Sequence, residues 1–357
     1  MKRSGLILLC IILLTYGYQG YKIYHDHINH ELKVKESGLL SDISDNVTPI
    51  KLETPNDGKI VKQIKRVQRD GDNIFLLSGH KLLHFDISGK FINNIAKDIS
   101  DSKEEVFIAD YTIDSDRHQI IVIDSSRNIH KYDYDGRLIS KAKINHPWNK
   151  LMSFTYHNGH IWATAETLKK NPKNDSYWIF YNLYKLDLDM NEISKETLRF
   201  ADTGRDKRLH SLRTDEILVD EQGVYAYSSP VDMKYLLDDT LHIIHQDIIP
   251  VAFGSGYQGQ ACVYPVRKSK RYMMSTHYDS QDSCYTYCYD KSNNTAYLLQ
   301  KGFKDNVYNT GYVTDLQPMD IYNKSYCYIK DNSGNAENIS EKTDIDNPVL
   351  YIVTLKS

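Results

Sequence analysis

His84-Phe-Asp-Ile-Ser-Gly-Lys-Phe-Ile92 returns 47 residues later as a near copy, Lys131-Tyr-Asp-Tyr-Asp-Gly-Arg-Leu-Ile139. At this single offset Phe85 falls on Tyr132, Asp86 on Asp133, Gly89 on Gly136 and Ile92 on Ile139. The match runs back through the preceding apolar segment, where Ile74 and Leu76 fall on Ile121 and Ile123. Alternating apolar residues bounded by Asp/Gly turns, repeated at this spacing, are the mark of blade-like β repeats.

Working outward, Ile60 to Val67, Asn73 to Ser78, Leu82 to Asp86 and Lys90 to Ile95 read as a four-stranded meander. Val106 to Ile113, Gln119 to Asp124, Asn128 to Asp133 and Arg137 to Ile144 repeat it. A third unit has a strand at His160 to Thr164, an insertion over Lys169 to Asp175, and the ending Leu183-Tyr-Lys-Leu-Asp-Leu-Asp-Met190. In the fourth, strands are expected at Glu216 to Val219, Gly223 to Ser228, Thr240 to His245 and Ile249 to Phe253. The fifth has Arg271 to His277, Ser283 to Asp290 and Thr295 to Gln300. The last, with Leu316 to Tyr322, Lys324 to Ile329 and Val349 to Leu355, is one strand short. Open meanders leave exposed edges that closure into a ring removes. Val47 to Glu53 is the spare strand able to complete the last sheet from the other end of the chain. The expected fold is all-β: a six-bladed β-propeller of four-stranded meanders over residues 47–357, closed by that N-terminal strand.

Composition agrees. The chain has 28 tyrosines against 9 Phe and 3 Trp, which suits many half-buried strands whose hydroxyls reach water. With 44 basic and 47 acidic residues, a net charge of -3 gives no electrostatic ground for a nucleic-acid partner.

Met1-Lys-Arg, the apolar run Gly5 to Leu14 and the small-residue patch that follows define residues 1–20 as a secretory signal peptide, cleaved after Gly17. An uncleaved N-terminal anchor is the alternative, and membrane association is then through this segment only. Cys10 lies inside the apolar run rather than directly after it, so a lipid anchor is not expected. Residues 21–46 read as a polar linker, with His25, His27 and His30 on a solvated tether rather than in a metal site. The expected location is exported: the periplasm, or the outer membrane or cell surface. The remaining cysteines, Cys262, Cys284, Cys288 and Cys327, are compatible with one or two disulfides in an oxidising compartment. Cys284 and Cys288, four apart in one strand, are roughly 13 Å from each other and do not pair. The other pairings stay open.

The chain resembles the six-bladed β-propeller proteins of Bacteroidetes, related in shape to TolB-like and NHL-type propellers. The resemblance is carried by Ile50-Lys-Leu-Glu-Thr54, Leu83-His-Phe-Asp-Ile-Ser-Gly-Lys-Phe91, Ile121-Val-Ile-Asp124 with Tyr132-Asp-Tyr-Asp-Gly136, and Asp346-Asn-Pro-Val-Leu-Tyr-Ile-Val-Thr-Leu-Lys356. Asp346-Asn-Pro-Val349 is its most specific part. Two features depart from it. Lys97 to Glu105 stands where a Gly-Pro-Gly-Glu turn is usual, and the lipoprotein cysteine after the leader is missing. The resemblance implies an exported propeller and supplies no catalytic residues.

No catalytic or cofactor site is read from the sequence. The Asp-rich turns Asp114-Ser-Asp116, Asp133-Tyr-Asp-Gly136 and Asp187-Leu-Asp189 lack the acidic spacing of a calcium loop, and tight turns select Asp and Gly for backbone reasons. Gly254-Ser-Gly-Tyr-Gln-Gly259 has no strand-to-helix context for a nucleotide. Trp148, Trp162 and Trp178 are read first as packing between blades, with binding as the second role. The expected function is a non-catalytic binding or scaffold protein of the bacterial cell envelope, a monomer that presents loops and a central channel to a protein, peptide or glycan. The alternative is a lactonase-like propeller hydrolase or lyase with a metal at the channel mouth. Against it, the innermost strands read here as Ile60 to Val67 and Val106 to Ile113 offer one carboxylate, Asp110.

Overall fold

The computed structural model describes residues 32–55, 58, 61–100, 106–173, 177–202, 215–220, 223–228, 233–237, 243–248, 262–263, 267–278, 284–320, 324–330 and 347–357. The leader with Cys10, the His25, His27 and His30 group, and Gly254 to Gly259 lie outside the described residues. Almost all of the described secondary structure is β.

Six sheets carry the repeat. Blade 1 comprises Ile64–Asp70, Asn73–Ser78, Lys81–Asp86 and Phe91–Ile95, paired in that order. Blade 2 comprises Ile108–Asp114, Gln119–Asp124, Asn128–Asp133 and Leu138–Lys143. Blade 3, with longer strands, comprises Lys150–His157, His160–Lys170, Tyr177–Leu186 and Glu192–Asp202. Blade 4 comprises Asp215–Asp220, Gly223–Ser228, Met233–Leu237 and Ile243–Ile248. Its last two strands differ from the expected Thr240 to His245 and Ile249 to Phe253, the second of which lies outside the described residues. In blade 5 the short strands Cys262–Val263 and Arg267–Lys268 both pair with Tyr272–Tyr278, followed by Cys284–Asp290 and Thr295–Leu299. Blade 6 is Gln317–Pro318, Ser325–Lys330, Val349–Leu355 and, from the other end of the chain, Ser44–Lys51.

The two-residue period of a strand builds the ring. Ile74 and Leu76 of blade 1 pack in one core with Cys327, Leu350 and Ile352 of blade 6. Phe75 and Leu77, on the opposite face, pack with Tyr111, Ile113, Ile120 and Val122 of blade 2. Ile121 and Ile123 then turn to Phe154 and Ala163 of blade 3, and Trp162 turns to Ile217 and Val219 of blade 4. Blades 1, 2, 3 and 6 thus carry apolar side chains into a core on each face and are sandwiched between two neighbours.

The closing strand is antiparallel to Val349–Leu355, with Ile50 opposite Leu350 and Val47 opposite Val353. Val47 and Ile50, three apart, face opposite ways. Val47 enters the core shared with Tyr272 and Met274 of blade 5, and Ile50 the core shared with Val67 and Ile74 of blade 1. One strand thereby seals both flanks of the last blade. Pro49 is tolerated because this is the sheet's edge strand.

Immediately after the strand, Asn347 latches it. The Asn347 amide donates to the carbonyl of Leu52 (3.0 Å) and to Thr54 Oγ1 (3.1 Å), and its oxygen accepts the Val61 N–H (2.8 Å). The blade 1 turn docks here too: Glu53 N–H donates to the Gly89 carbonyl (2.8 Å), and Phe91 N–H to Glu53 Oε2 (2.8 Å). Gly89 has φ +90°, and a Cβ there would lie 2.2 Å from the Lys51 carbonyl oxygen, so only glycine fits.

The linker expected over residues 21–46 is corrected for its C-terminal part. Leu32–Lys35 adds in parallel to Thr295–Leu299 at the outer edge of blade 5. Gly38–Leu39 pairs in parallel with Phe303–Lys304 of a small sheet that also holds Gly311–Val313. The short helix Leu40–Ile43 then buries Leu40 and Ile43 before the closing strand begins. Unpaired edges of both sheets recruit this segment.

Replacing Asn347 by Ala leaves the Val61 N–H and the Leu52 carbonyl without partners in a buried place, and is expected to lower the unfolding free energy by about 2–4 kcal/mol. Asn347→Asp, which keeps the acceptor for Val61, is expected to fall between the two in chemical denaturation.

Candidate functional site

The first strands of the blades form the wall around the ring's axis. In blades 1, 2 and 3 each shifts register against its neighbour at the same place, around Lys65, Ala109 and Met152. A bulge turns the following side chain toward the next blade. Arg66 Nη1 thus reaches both oxygens of Asp110, at 2.7 and 2.8 Å. Thr112 Oγ1 accepts the Tyr156 N–H of blade 3 (3.0 Å), and Arg69 N–H donates to the Met319 carbonyl beyond the first strand of blade 6 (2.6 Å). The one acidic side chain that the sequence placed on these strands is therefore engaged between blades. Among the described residues no group of three or more His, Cys, Asp or Glu side chains is placed to hold a metal ion.

In the Asp-rich turns the first Asp bonds within its own turn, while Asp189 also accepts from Lys131 Nζ (3.0 Å) and Asp116 from the Tyr156 hydroxyl (2.7 Å). Asp86 Oδ1 accepts the N–H groups of Ser88 (2.8 Å) and Lys90 (3.0 Å), and Asp133 Oδ1 accepts that of Arg137 (2.7 Å). Asp187 Oδ1 accepts those of Asp189 and Asn191, both at 2.8 Å. The repeated Asp of the opening motif is a turn-former in every case.

Two polar clusters between blades were not legible in the sequence. At one, the Tyr134 hydroxyl of blade 2 donates to Asp70 of blade 1 (2.5 Å), while His84 stacks on Phe75 with ring centres 4.5 Å apart. Burial holds His84 below the usual imidazole range, and burial and Asp70 together push the Tyr134 phenol up. At the other, His130 Nε2 lies 2.9 Å from Asp124 Oδ2, and the Tyr132 hydroxyl donates to Asp98 (2.8 Å). Burial opposes the Asp124 charge, but bonds from Asn128 and His130 outweigh it and lower its pKa. Both His130 and Asp124 are sealed from solvent, so this pair ties strand to strand.

Cys288 and Cys327 are buried free thiols that enter different cores, so neither takes part in a disulfide. Burial pushes the Cys288 thiol up to about 12 and raises that of Cys327 as well. Cys262 and Cys284 both pair with Tyr278, from opposite sides, which sets them two strand spacings apart, about 10 Å and beyond disulfide reach. Trp148 and Trp162 are core residues, Trp148 stacked on His146 at 4.7 Å and Trp162 packed between blades 3 and 4. Trp178 is only half-buried.

Trp178 belongs to the largest departure from the repeat. The insertion expected over Lys169 to Asp175 begins inside a paired strand: Thr167–Lys170 pairs with Tyr177–Phe180, and Asp202 pairs with Trp178 on the other side. The first strand of blade 3 begins at Lys150, opposite Glu166. The other strands continue about four residues, roughly 13 Å, past it. Trp178 and Phe180 sit on one face of this extension with their cross-strand partners Lys169 and Thr167.

A cavity of about 220 Å³ opens between the N-terminal segment and blade 5. Its floor includes the buried Tyr272, Cys288, Leu299 and Phe303, and charged side chains stand at its rim. Arg271 is fixed there by a fork onto Asp290, with Nε to Oδ1 at 3.0 Å and Nη2 to Oδ2 at 2.8 Å.

Fold and wall together define a β-propeller of six blades. A family model described as 6-bladed beta-propeller matches residues 25–215, and the chain belongs to that family. Among solved structures it is similar to BamB from Moraxella catarrhalis, at 11% identity and a TM-score of 0.39 over 70% of this chain. The chain spans 63% of the length of that BamB. It is also similar to a luciferin-regenerating enzyme (12% identity, TM-score 0.48, 87% of this chain and 97% of that one). A third is the Cps50 (Swd1) beta-propeller domain of Myceliophteria thermophila (8% identity, TM-score 0.47, 87% of this chain and 100% of that one). No curated protein matches the sequence.

The Arg271 bond holds the Asp290 carboxyl down at about 2, against about 4 for an unfolded Asp. A lowered folded pKa gives stability that is complete above the unfolded value and is lost as pH falls from about 4 through about 2. Wild type is expected to exceed Asp290→Asn in melting temperature at pH 6 and to converge on it near pH 2. A pH-independent gap would contradict this assignment.

Proposed function

We propose that this is an exported, non-catalytic binding or scaffold protein of a bacterial cell envelope, a monomeric propeller of the TolB-like or NHL-like type found in Bacteroidetes. The observation that carries the reading is the blade 3 extension. It projects past the wall of the ring with Trp178 and Phe180 half-buried on one face and Leu168 exposed on the other. Aromatic side chains with few rotatable bonds, set on a rigid sheet, are what interfaces use as anchors. Lys169 and Lys170 at its margin favour a partner with acidic or hydroxyl-rich groups, a protein, peptide or glycan. The commitment of Asp110 to Arg66 supports binding over a lactonase-like reaction at the channel.

The test is affinity capture from a solubilised envelope fraction, with the chain from residue 25 and its Trp178→Ala/Phe180→Ala variant as baits. A partner retained by wild type and reduced at least tenfold by the variant is expected, with cooperative unfolding of the variant preserved. Equal retention by both baits would sink the reading.

A further inference from the structure

The cavity between the N-terminal segment and blade 5 belongs neither to the channel nor to the blade 3 extension. We propose that it is a binding site for one free α-amino acid with a large apolar or aromatic side chain. The inference does not rest on the function proposed above.

Its size sets the class of ligand. About 220 Å³ is below the roughly 300–1,000 Å³ of sites for drug-sized molecules. It is also far more than the one or two waters that a packing defect holds, at about 30 Å³ each. The floor of Tyr272, Cys288, Leu299 and Phe303 offers apolar surface without an opposing layer. Dispersion and burial there favour an apolar body.

The rim supplies charge of both signs. Arg271 spends Nε and Nη2 on Asp290, and its Nη1 has no partner among the described residues. Lys35 Nζ stands 4.3 Å from the centre of the Tyr297 ring and has no carboxylate partner among the described residues. The Asp42 side chain, which also lines the cavity, makes no hydrogen bond or ion pair among the described residues, although its carbonyl accepts from Lys356 Nζ (3.0 Å). Two cations that can hold a carboxylate, one carboxylate that can hold an ammonium group, and an apolar floor below them match the two ends and the side chain of an amino acid. A monocarboxylic acid would leave Asp42 facing its anion, and an amine would leave Arg271 and Lys35 unused.

The site is also coupled to the chain's path. Gly38 forms part of its wall, and a Cβ there would lie 3.0 Å from the Phe303 ring, so a side chain at this position would press on the floor of the cavity. A ligand seated under the segment would hold it to blade 5.

Isothermal titration calorimetry on the chain from residue 25 tests this with L-phenylalanine and L-leucine as probes. Glycine, 3-phenylpropionate and phenethylamine serve as controls that lack the side chain, the amine or the carboxylate. Either amino acid is expected to bind at least tenfold more tightly than every control, the discrimination of a charged hydrogen bond left unmade. Lys35→Gln and Asp42→Asn, both at exposed positions, are each expected to weaken it at least tenfold. Hydrogen exchange of residues 32–39 should slow in the presence of the bound amino acid. Absence of heat with both amino acids, equal binding of a control, or indifference to both substitutions would each overturn the proposal.

Discussion

Everything in this fold depends on one strand reaching across the whole sequence. Ser44–Lys51 is the outer strand of a sheet whose other strands lie beyond residue 316, and its side chains enter the cores on both flanks of that sheet. Without it, the last blade would show an open edge, and its contacts with blades 5 and 1 would be thinned. The latch is polar and small. Asn347 gathers Leu52, Thr54 and Val61 with three hydrogen bonds, and the Gly89 turn rests on Lys51 and Glu53. Three of the segments that carry the family resemblance therefore meet at the closure, through Ile50 to Thr54, Leu83 to Phe91 and Asn347 to Val349. Their sequences are the specific ones because backbone has to approach backbone there.

The rest of the ring is more forgiving. Blade-to-blade contact needs apolar residues of roughly the right size on both faces of each second strand, and many sequences supply those. That tolerance lets blade 3 lengthen its outer three strands and blade 5 accept an added parallel strand without disturbing the neighbours. Both departures carry the surfaces for which functions are proposed. A scaffold held by closure can present variable edges.

How legible this was from the chain follows the range of each interaction. The 47-residue register made most strands of blades 1 and 2 readable to within a residue or two, because turn and strand signals there are local, although the first strand of blade 1 is Ile64–Asp70 rather than Ile60 to Val67. The missing strand of blade 6 could be counted, which pointed to Val47 to Glu53; the strand that pairs there is Ser44–Lys51. Leu32–Lys35 could not be read. Its partner strand lies more than 260 residues away, it is four residues long, and Lys33, Val34 and Lys35 are all exposed, so no periodicity marks it. Asp110 was visible as an isolated carboxylate, but its pairing with Arg66 depends on a bulge, which leaves no compositional trace. The cavity at Arg271 joins residues 35–43 to residues 271–303, a separation that no local pattern in the chain marks.

Hydrogen–deuterium exchange followed by mass spectrometry tests that closure most directly. Peptides covering 44–52 and 349–357 are predicted to be protected to the same degree and to open together, at the free energy of global unfolding. Exchange of 44–52 at the rate of an unstructured chain, while 349–357 stays protected, would contradict it.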